Sequence, residues 1–375
     1  MIVPRRKCYF LKWPLPDDPI QTGNTMKAVR FVGAGCPAQV VDIPTPIPGP
    51  GEILVKIGGA GACHSDLHVL KHGRRGAPPQ FTLGHENAGW IAALGSGIHG
   101  WKEGDAVAVY PLWGCGHCPA CAKSAENYCV SFPPEMPRMF GGLGRDGGMA
   151  EYMIVPDGRF LVRLGKLDPK AAAPLTDAAL TPYHAIKGVL PALTPDSTVV
   201  MIGIGGLGHM GVQILHAVSA VRLVAADIDE AKLEFARKHG AVATINTRSE
   251  NAAEEILAVS GSRKVKAVFD FVGIQPTIDL ALRVLGYAGH LAIVGLGGGV
   301  MSFRPGTAEG CVPWGCSVTA PYGGTRLDLM EVIALAEAGM IEAEKTYFPL
   351  EDAVSVYSRL EKGEIQGRAV FVPGF

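Results

Sequence analysis

A chain of 375 residues is long for a single hydrophobic core, which predicts two domains. Its 34 Lys and Arg against 35 Asp and Glu leave a formal charge of −1, so there is no basic excess for a nucleic acid or an anionic membrane. Hydrophobic residues at 48% and charged ones at 18% exclude a disordered chain, and no apolar run is long enough to cross a bilayer, so a cytoplasmic enzyme is expected.

Residues 1–25 contain Pro4, Pro14, Pro16 and Pro19 and no apolar stretch of the kind a secretory leader needs. They are expected to form a flexible extension. From Met26 to about residue 160 the chain reads as short β runs, among them "KAVRF", "EILVKIGGAG", "AGWIAAL", "DAVAVY" and "AEYMIV". Gly and Pro punctuate them closely, which predicts a compact, irregular β domain.

Two clusters of chemistry lie inside that β region. The stretch "CHSDLH" gathers Cys63, His64, Ser65, Asp66 and His68, and alone it reads equally well as a polar turn. "GCGHCPACAKSAENYC" sets Cys115, Cys118, Cys121 and Cys129 as C-x2-C-x2-C-x7-C. Nine cysteines, an odd number in a long chain, do not make a disulfide framework. Four thiolates at this spacing suit a closed, tetrahedral structural zinc. An iron–sulfur cluster is the rival reading, disfavoured because nothing else in the chain suggests electron transfer. His117 inside the lobe reads as a bystander.

From about residue 175 the texture changes. "LTDAALTPYHAIKGVL" has helical spacing through Ala178, Leu180, Tyr183, Ile186 and Leu190. Apolar strands then alternate with helices as far as "CSVTAPY", the pattern of a parallel sheet covered on both faces. Two more helices, "LMEVIALAEAGM" and "LEDAVSVYSRLEKG", and a strand, "GRAVFVPG", end the chain.

"VVMIGIGGLGHMG" places Gly203-x-Gly205-x-x-Gly208 between an apolar strand and a helix. In that position the glycines predict a tight turn, a close approach to a pyrophosphate and a close helix–strand packing. Asp227 ends the next strand, where a carboxylate accepts hydrogen bonds from an adenosine ribose and repels a 2′-phosphate. NAD is therefore expected over NADP.

The order "GACHSDLH", "LGHENAG", the four-cysteine lobe, "DAALTPYHA" and "GIGGLGHMG" resembles the zinc-dependent medium-chain alcohol dehydrogenases of the bacterial secondary-alcohol type, from Met26 to the C-terminus. The resemblance implies a GroES-like β-rich catalytic domain, 26–178 and 321–375, interrupted by an α/β Rossmann NAD-binding domain, 179–320. It implies two zinc ions per chain, with Cys63 and His85 as ligands of the catalytic one and Glu86 behind the metal. Asp66 would be the partner that holds His85. Zinc would polarise the alcohol, Ser65 would take the hydroxyl proton, and the nicotinamide ribose would pass it to His68 while hydride leaves for NAD. His64, Thr181, Gly206, Leu207, Lys232 and Arg368 match cofactor contacts, Lys232 at the adenosine ribose and Arg368 at the pyrophosphate. For Lys232 and Arg368 a solvated surface group is the competing reading.

The family commonly has a second cysteine as third ligand, and this chain has Asp177 there. Asp before a helical run is also a favoured N-cap. A carboxylate is an accepted zinc donor and keeps the ligand charge of two thiolates, which favours ligation. The expected substrate is a small-molecule alcohol or its ketone, with a hydrophobic secondary alcohol favoured by Trp113, Met139, Phe140 and Tyr322. A polyol dehydrogenase or an NADPH-preferring aldehyde reductase is the alternative, and Asp227 argues against the latter. A non-catalytic NADH-binding protein would leave Ser65 and His68 without purpose. The 48 positions between Cys129 and Asp177 resemble the shorter, tetrameric branch, so a homotetramer is expected.

Overall fold

The structure, a computed structural model, describes residues 24–131, 139–261, 265–306, 308 and 310–375. Most of the extension expected over residues 1–25 thus lies outside the described residues, and the first strand, Thr25–Phe31, begins at its end.

Glycine-punctuated strands dominate the first half. A sheet runs in the order Leu161–Arg163, Ala106–Val109, Glu86–Leu94, Ile53–Ala62, Arg368–Phe371 and Lys345–Phe348, with Tyr152–Val155 also paired to Ile53–Ala62. The last two strands come from the far end of the chain. Arg368–Phe371 lies antiparallel to Ile53–Ala62, with Ala369 opposite Ala62. Its four residues are all buried, which the apolar run "RAVF" satisfies apart from the arginine. The C-terminal segment thus brings one charged side chain, Arg368, into the middle of the β domain.

Between them, residues 198–319 form a six-stranded sheet in which every neighbour is parallel. The order is Ala243–Asn246, Arg222–Asp227, Thr198–Ile202, Val265–Asp270, Leu285–Ile293 and Ser317–Thr319. The chain reverses direction across the sheet beside Thr198–Ile202, the crevice where such sheets take ligands. Val199, Val200, Met201 and Ile202 are almost wholly buried, as a strand covered on both faces requires.

Two local readings are corrected. "CHSDLH" is not a turn but the start of a helix, His64–His72, with Cys63 as its extended N-cap residue. The helix after Asp177 starts later than its spacing implies. Residues Ala173–Thr176 form a 3₁₀ turn, and the α-helix spans Leu180–Lys187. Its N-cap is Ala179, with no side-chain cap, so Asp177 does not cap it.

Candidate functional site

The end of strand Ile53–Ala62 delivers Cys63, and the turn before strand Glu86–Leu94 delivers His85 beside Glu86. Asp177 arrives from the link between the two sheets. One donor atom from each of Cys63, His85, Glu86 and Asp177 lies within 4.8 Å of the others. Cys63 Sγ is 3.7 Å and His85 Nε2 3.8 Å from Asp177 Oδ2. Bond lengths of a tetrahedral zinc require separations of about 3.4–3.6 Å for such pairs, so the donors sit where a small contraction would make them ligands.

Asp66 sets the geometry. Its Oδ2 accepts from the Cys63 backbone N–H at 2.9 Å, the return half of a capping box, while Oδ1 lies 3.0 Å from His85 Nδ1. Both carboxylate oxygens are thereby used, Asp66 is fully buried, and His85 keeps its Nε2 for the cluster. Glu86 fits because strand partner Gly61 has no side chain; a Cβ there would lie 2.1 Å from Glu86 Oε2.

Arg368 completes the cluster, and here the competing reading of a surface group fails. It is not a solvated surface group but 2% exposed. Its Nη2 is 2.6 Å from Glu86 Oε1, 3.1 Å from Asp177 Oδ2 and 3.6 Å from Cys63 Sγ. It also borders the glycine loop, since a Cβ at Gly206 would lie 2.3 Å from Arg368 Nη1. One guanidinium therefore touches both the metal-type cluster and the loop expected to hold a pyrophosphate.

Electrostatics follow from this arrangement. Burial opposes the ionisation of Cys63 most strongly, but Arg368 and His85 together outweigh it and hold the thiol below its usual value. Burial likewise opposes the Asp177 carboxylate, which His85 and Arg368 hold well below the ordinary range. Burial pushes Glu86 well up despite Arg368, and neither of its oxygens has an aligned hydrogen bond. Two anionic donors, one of them buried, an oriented imidazole and an under-satisfied carboxylate suit a divalent cation such as zinc.

Ser65 and His68 follow on the helix His64–His72. Ser65 Oγ lies 3.7 Å from Cys63 Sγ, and His68 is exposed one turn further on, its ring 4.8 Å from that of His72. A hydroxyl at the cluster is thus followed by an imidazole at the surface, the order a proton exit requires.

The lobe cysteines also converge. Cys115 Sγ is 3.9 Å from Cys121 Sγ, and Cys118 Sγ 3.8 Å from Cys129 Sγ. A tetrahedron with 2.3 Å metal–sulfur bonds has edges of about 3.8 Å, which matches zinc and leaves no room for the inorganic sulfides of a cluster. The Ser131 hydroxyl and nearby backbone N–H groups hold the Cys115 thiol down at about 5. His117 hydrogen-bonds to the Cys115 carbonyl from an exposed position, outside the donor set.

At the glycine loop each residue has a distinct reason. Gly203 has φ 87° and Val272 where a Cβ would be, while a Cβ at Gly208 would lie 1.9 Å from the Gly203 carbonyl oxygen. Gly205 has nothing within 4 Å of its Cβ direction, so the backbone there is open to a ligand. Leu207 precedes the helix Gly208–Val218. Asp227 accepts from the Ile204 N–H at 2.6 Å and from the Ile228 N–H at 2.7 Å, which ties it to the loop. A cleft of about 670 Å³ extends from Ile204 and Gly205 past Lys232. Desolvation and the Arg368 and Lys232 charges hold His64 below its usual value, so both cations act on that imidazole. Thr181 donates from Oγ1 to Asp177 Oδ1 at 2.9 Å, tying the helix Leu180–Lys187 to the cluster.

Apolar and aromatic groups pack beside the cluster. Phe140 packs edge-on to His85 with centroids 5.7 Å apart, and Tyr322 lies 6.5 Å beyond Phe140. Trp113 and Leu112 are buried beside them. The Met139 side chain lies outside what is described.

Comparison with known proteins fits this geometry. Residues 49–166 match the family of the alcohol dehydrogenase GroES-like domain, and residues 206–338 the zinc-binding dehydrogenase family. The chain is 36% identical over 360 residues to an NAD-dependent alcohol dehydrogenase of Sulfurisphaera tokodaii, covering 93% of this chain and 100% of the relative. The crystal structure of an alcohol dehydrogenase from Aeropyrum pernix superposes with a TM-score of 0.83 at 33% identity, covering 92% of this chain and 100% of that one. The structure of acetophenone reductase from Geotrichum candidum in complex with NAD superposes with a TM-score of 0.80 at 31% identity, covering 94% and 98%.

Proposed function

The chain belongs to the zinc-dependent medium-chain alcohol dehydrogenases, an NAD-linked oxidoreductase family, and we propose that it oxidises hydrophobic secondary alcohols at Cys63, His85 and Asp177. The convergence of these donors with Glu86, beside a Ser65 hydroxyl, carries the reading. Zinc held by Cys63, His85 and Asp177 supplies a Lewis acid that lowers the pKa of an alcohol hydroxyl. NAD held at the glycine loop supplies the hydride acceptor.

The chain's own residues do the rest. Ser65 accepts the hydroxyl proton, and His68 releases it to solvent. Asp66 keeps His85 in the required tautomer. The four lobe cysteines hold a second, structural zinc. Gly205 and Gly206 admit the pyrophosphate, while Arg368, His64 and Lys232 offset its charge. Residues 26–178 and 321–375 act as the catalytic domain, and 179–320 as the coenzyme domain.

The substrate class rests on the apolar wall of Leu112, Trp113, Phe140 and Tyr322, which offers a polyol few partners for its hydroxyls. The acetophenone reductase, similar over nearly the whole chain, is named for a bulky aromatic ketone. A panel of alcohols with NAD, followed by NADH absorbance, tests this. Hydrophobic secondary alcohols should give the highest kcat/KM, and a preference for sugars or polyols would refute the class.

Cofactor choice rests on Asp227. A 2′-phosphate would meet a carboxylate already fixed by backbone N–H groups and unable to swing away. Asp227→Gly should weaken NAD binding and improve NADP. If the wild type already turns over faster at low NADP than at low NAD, the ribose assignment is wrong.

We further propose a homotetramer. Strand Ser317–Thr319 is one of the two edges of the parallel sheet, and Tyr287, Leu296, Val300, Phe303 and Trp314 are exposed in the segments around it. Such an edge is a template for pairing with another copy. Light scattering should give four chain masses; a monomer would contradict the assignment.

A further inference from the structure

The residues that end the four-cysteine lobe reach into two elements of the alcohol site. The Tyr128 hydroxyl lies 2.9 Å from His184 Nε2, and His184 Nδ1 lies 2.7 Å from Asp328 Oδ2. Asp328 is 2% exposed and is fixed in turn by Lys187 Nζ at 3.0 Å and by the Thr325 N–H at 2.9 Å. The adjacent, fully buried Asn127 donates from Nδ2 to the Tyr322 carbonyl at 3.0 Å. The buried Tyr110 hydroxyl donates to the Gly324 carbonyl at 2.7 Å.

Both targets bear on the reacting centre. His184 sits on the helix Leu180–Lys187, whose first turn returns the Thr181 hydroxyl to Asp177. Tyr322 is the outer member of the line Tyr322–Phe140–His85. No slack lies between the two elements, because a Cβ on Gly324 would come within 2.5 Å of Leu180 Cδ1. A displacement of the lobe end would therefore move the pocket wall and the helix behind Asp177 together.

We infer that the lobe is a brace for the alcohol pocket as well as a staple of the fold. Tyr128 acts through His184 and Asp328, and Asn127 through Tyr322, to set the width of the site. Tyr128 and His184 are positioning residues of the reaction, since neither touches the donor cluster. The inference rests on the reading of the Cys63 cluster as the alcohol site.

Tyr128→Phe removes one hydroxyl from a partly exposed ring and leaves the cysteines intact. The test compares the smallest and the bulkiest alcohols that the wild type oxidises, so an error in the substrate class leaves it valid. In Tyr128→Phe, KM for the bulkiest alcohol should rise about fivefold, the equivalent of one neutral hydrogen bond. KM for the smallest alcohol, NAD affinity and zinc content should stay unchanged. His184→Gln, which retains a donor and an acceptor at lower precision, should show the same bias to a smaller degree. An equal rise for all alcohols, no change in either variant, or loss of zinc from Tyr128→Phe would overturn the brace.

Discussion

Asp177→Ala is expected to release one of two zinc ions per chain and to lower turnover about a thousandfold, the scale of losing a Lewis acid worth several kcal/mol. Cys63 and His85 alone are too few ligands for a stable catalytic site. The N-cap explanation for this residue fails on geometry, since the following helix is capped at Ala179 and the Asp177 carboxylate points to Cys63, His85 and Arg368. Asp177→Asn keeps the shape and removes the charge, so it should also lose the metal. Asp177→Cys should restore it, because a thiolate replaces a carboxylate at unchanged ligand charge. Glu86 is the other carboxylate within reach, already paired with Arg368. Elemental analysis beside a rate assay decides between them. Two zincs and ordinary turnover in Asp177→Asn would make Glu86 the third ligand.

Ser65→Ala should slow alcohol oxidation about a hundredfold or more, the usual scale of a positioned proton acceptor. Zinc content should not change, because the hydroxyl lies beside Cys63 and outside the donor set. His68→Ala should cost less, about tenfold, since His68 is exposed and water can take over its role at the surface. External imidazole should then recover part of the rate in His68→Ala but none in Ser65→Ala. A Ser65→Ala protein that lost zinc, or that kept its full rate, would remove Ser65 from the proton path.

What the sequence made legible was whatever short-range spacing controls. The four lobe cysteines and the glycine fingerprint are each contained in one segment, and the structure brings both together as the spacing implies. The parallel sheet was legible because its strands are apolar throughout. The start of the helix after Asp177 was not, because Ala178 falls on the helical spacing yet lies in the turn that precedes Leu180. "CHSDLH" concealed its helix because only nine residues form it and its polar content masks the buried Val69 and Leu70. Strand Lys345–Phe348 is a short edge strand without alternation, and only its parallel pairing with Arg368–Phe371 defines it. Arg368 lies 305 positions from Cys63, and nothing local could show that an arginine in an apolar strand neutralises the cluster. The Tyr128–His184–Asp328 chain was out of reach for the same reason.

The most direct test of a zinc-assisted, NAD-linked dehydrogenase is NADH formation from a secondary alcohol before and after selective removal of the more labile zinc by a chelator. The lobe ion, enclosed by four thiolates, should be retained, while the ion of Cys63, His85 and Asp177 should leave first because its site keeps an open position. The account predicts that NADH formation falls in proportion to loss of the first zinc per chain and returns when zinc alone is added back. Full NADH formation in protein that has lost that zinc would contradict it.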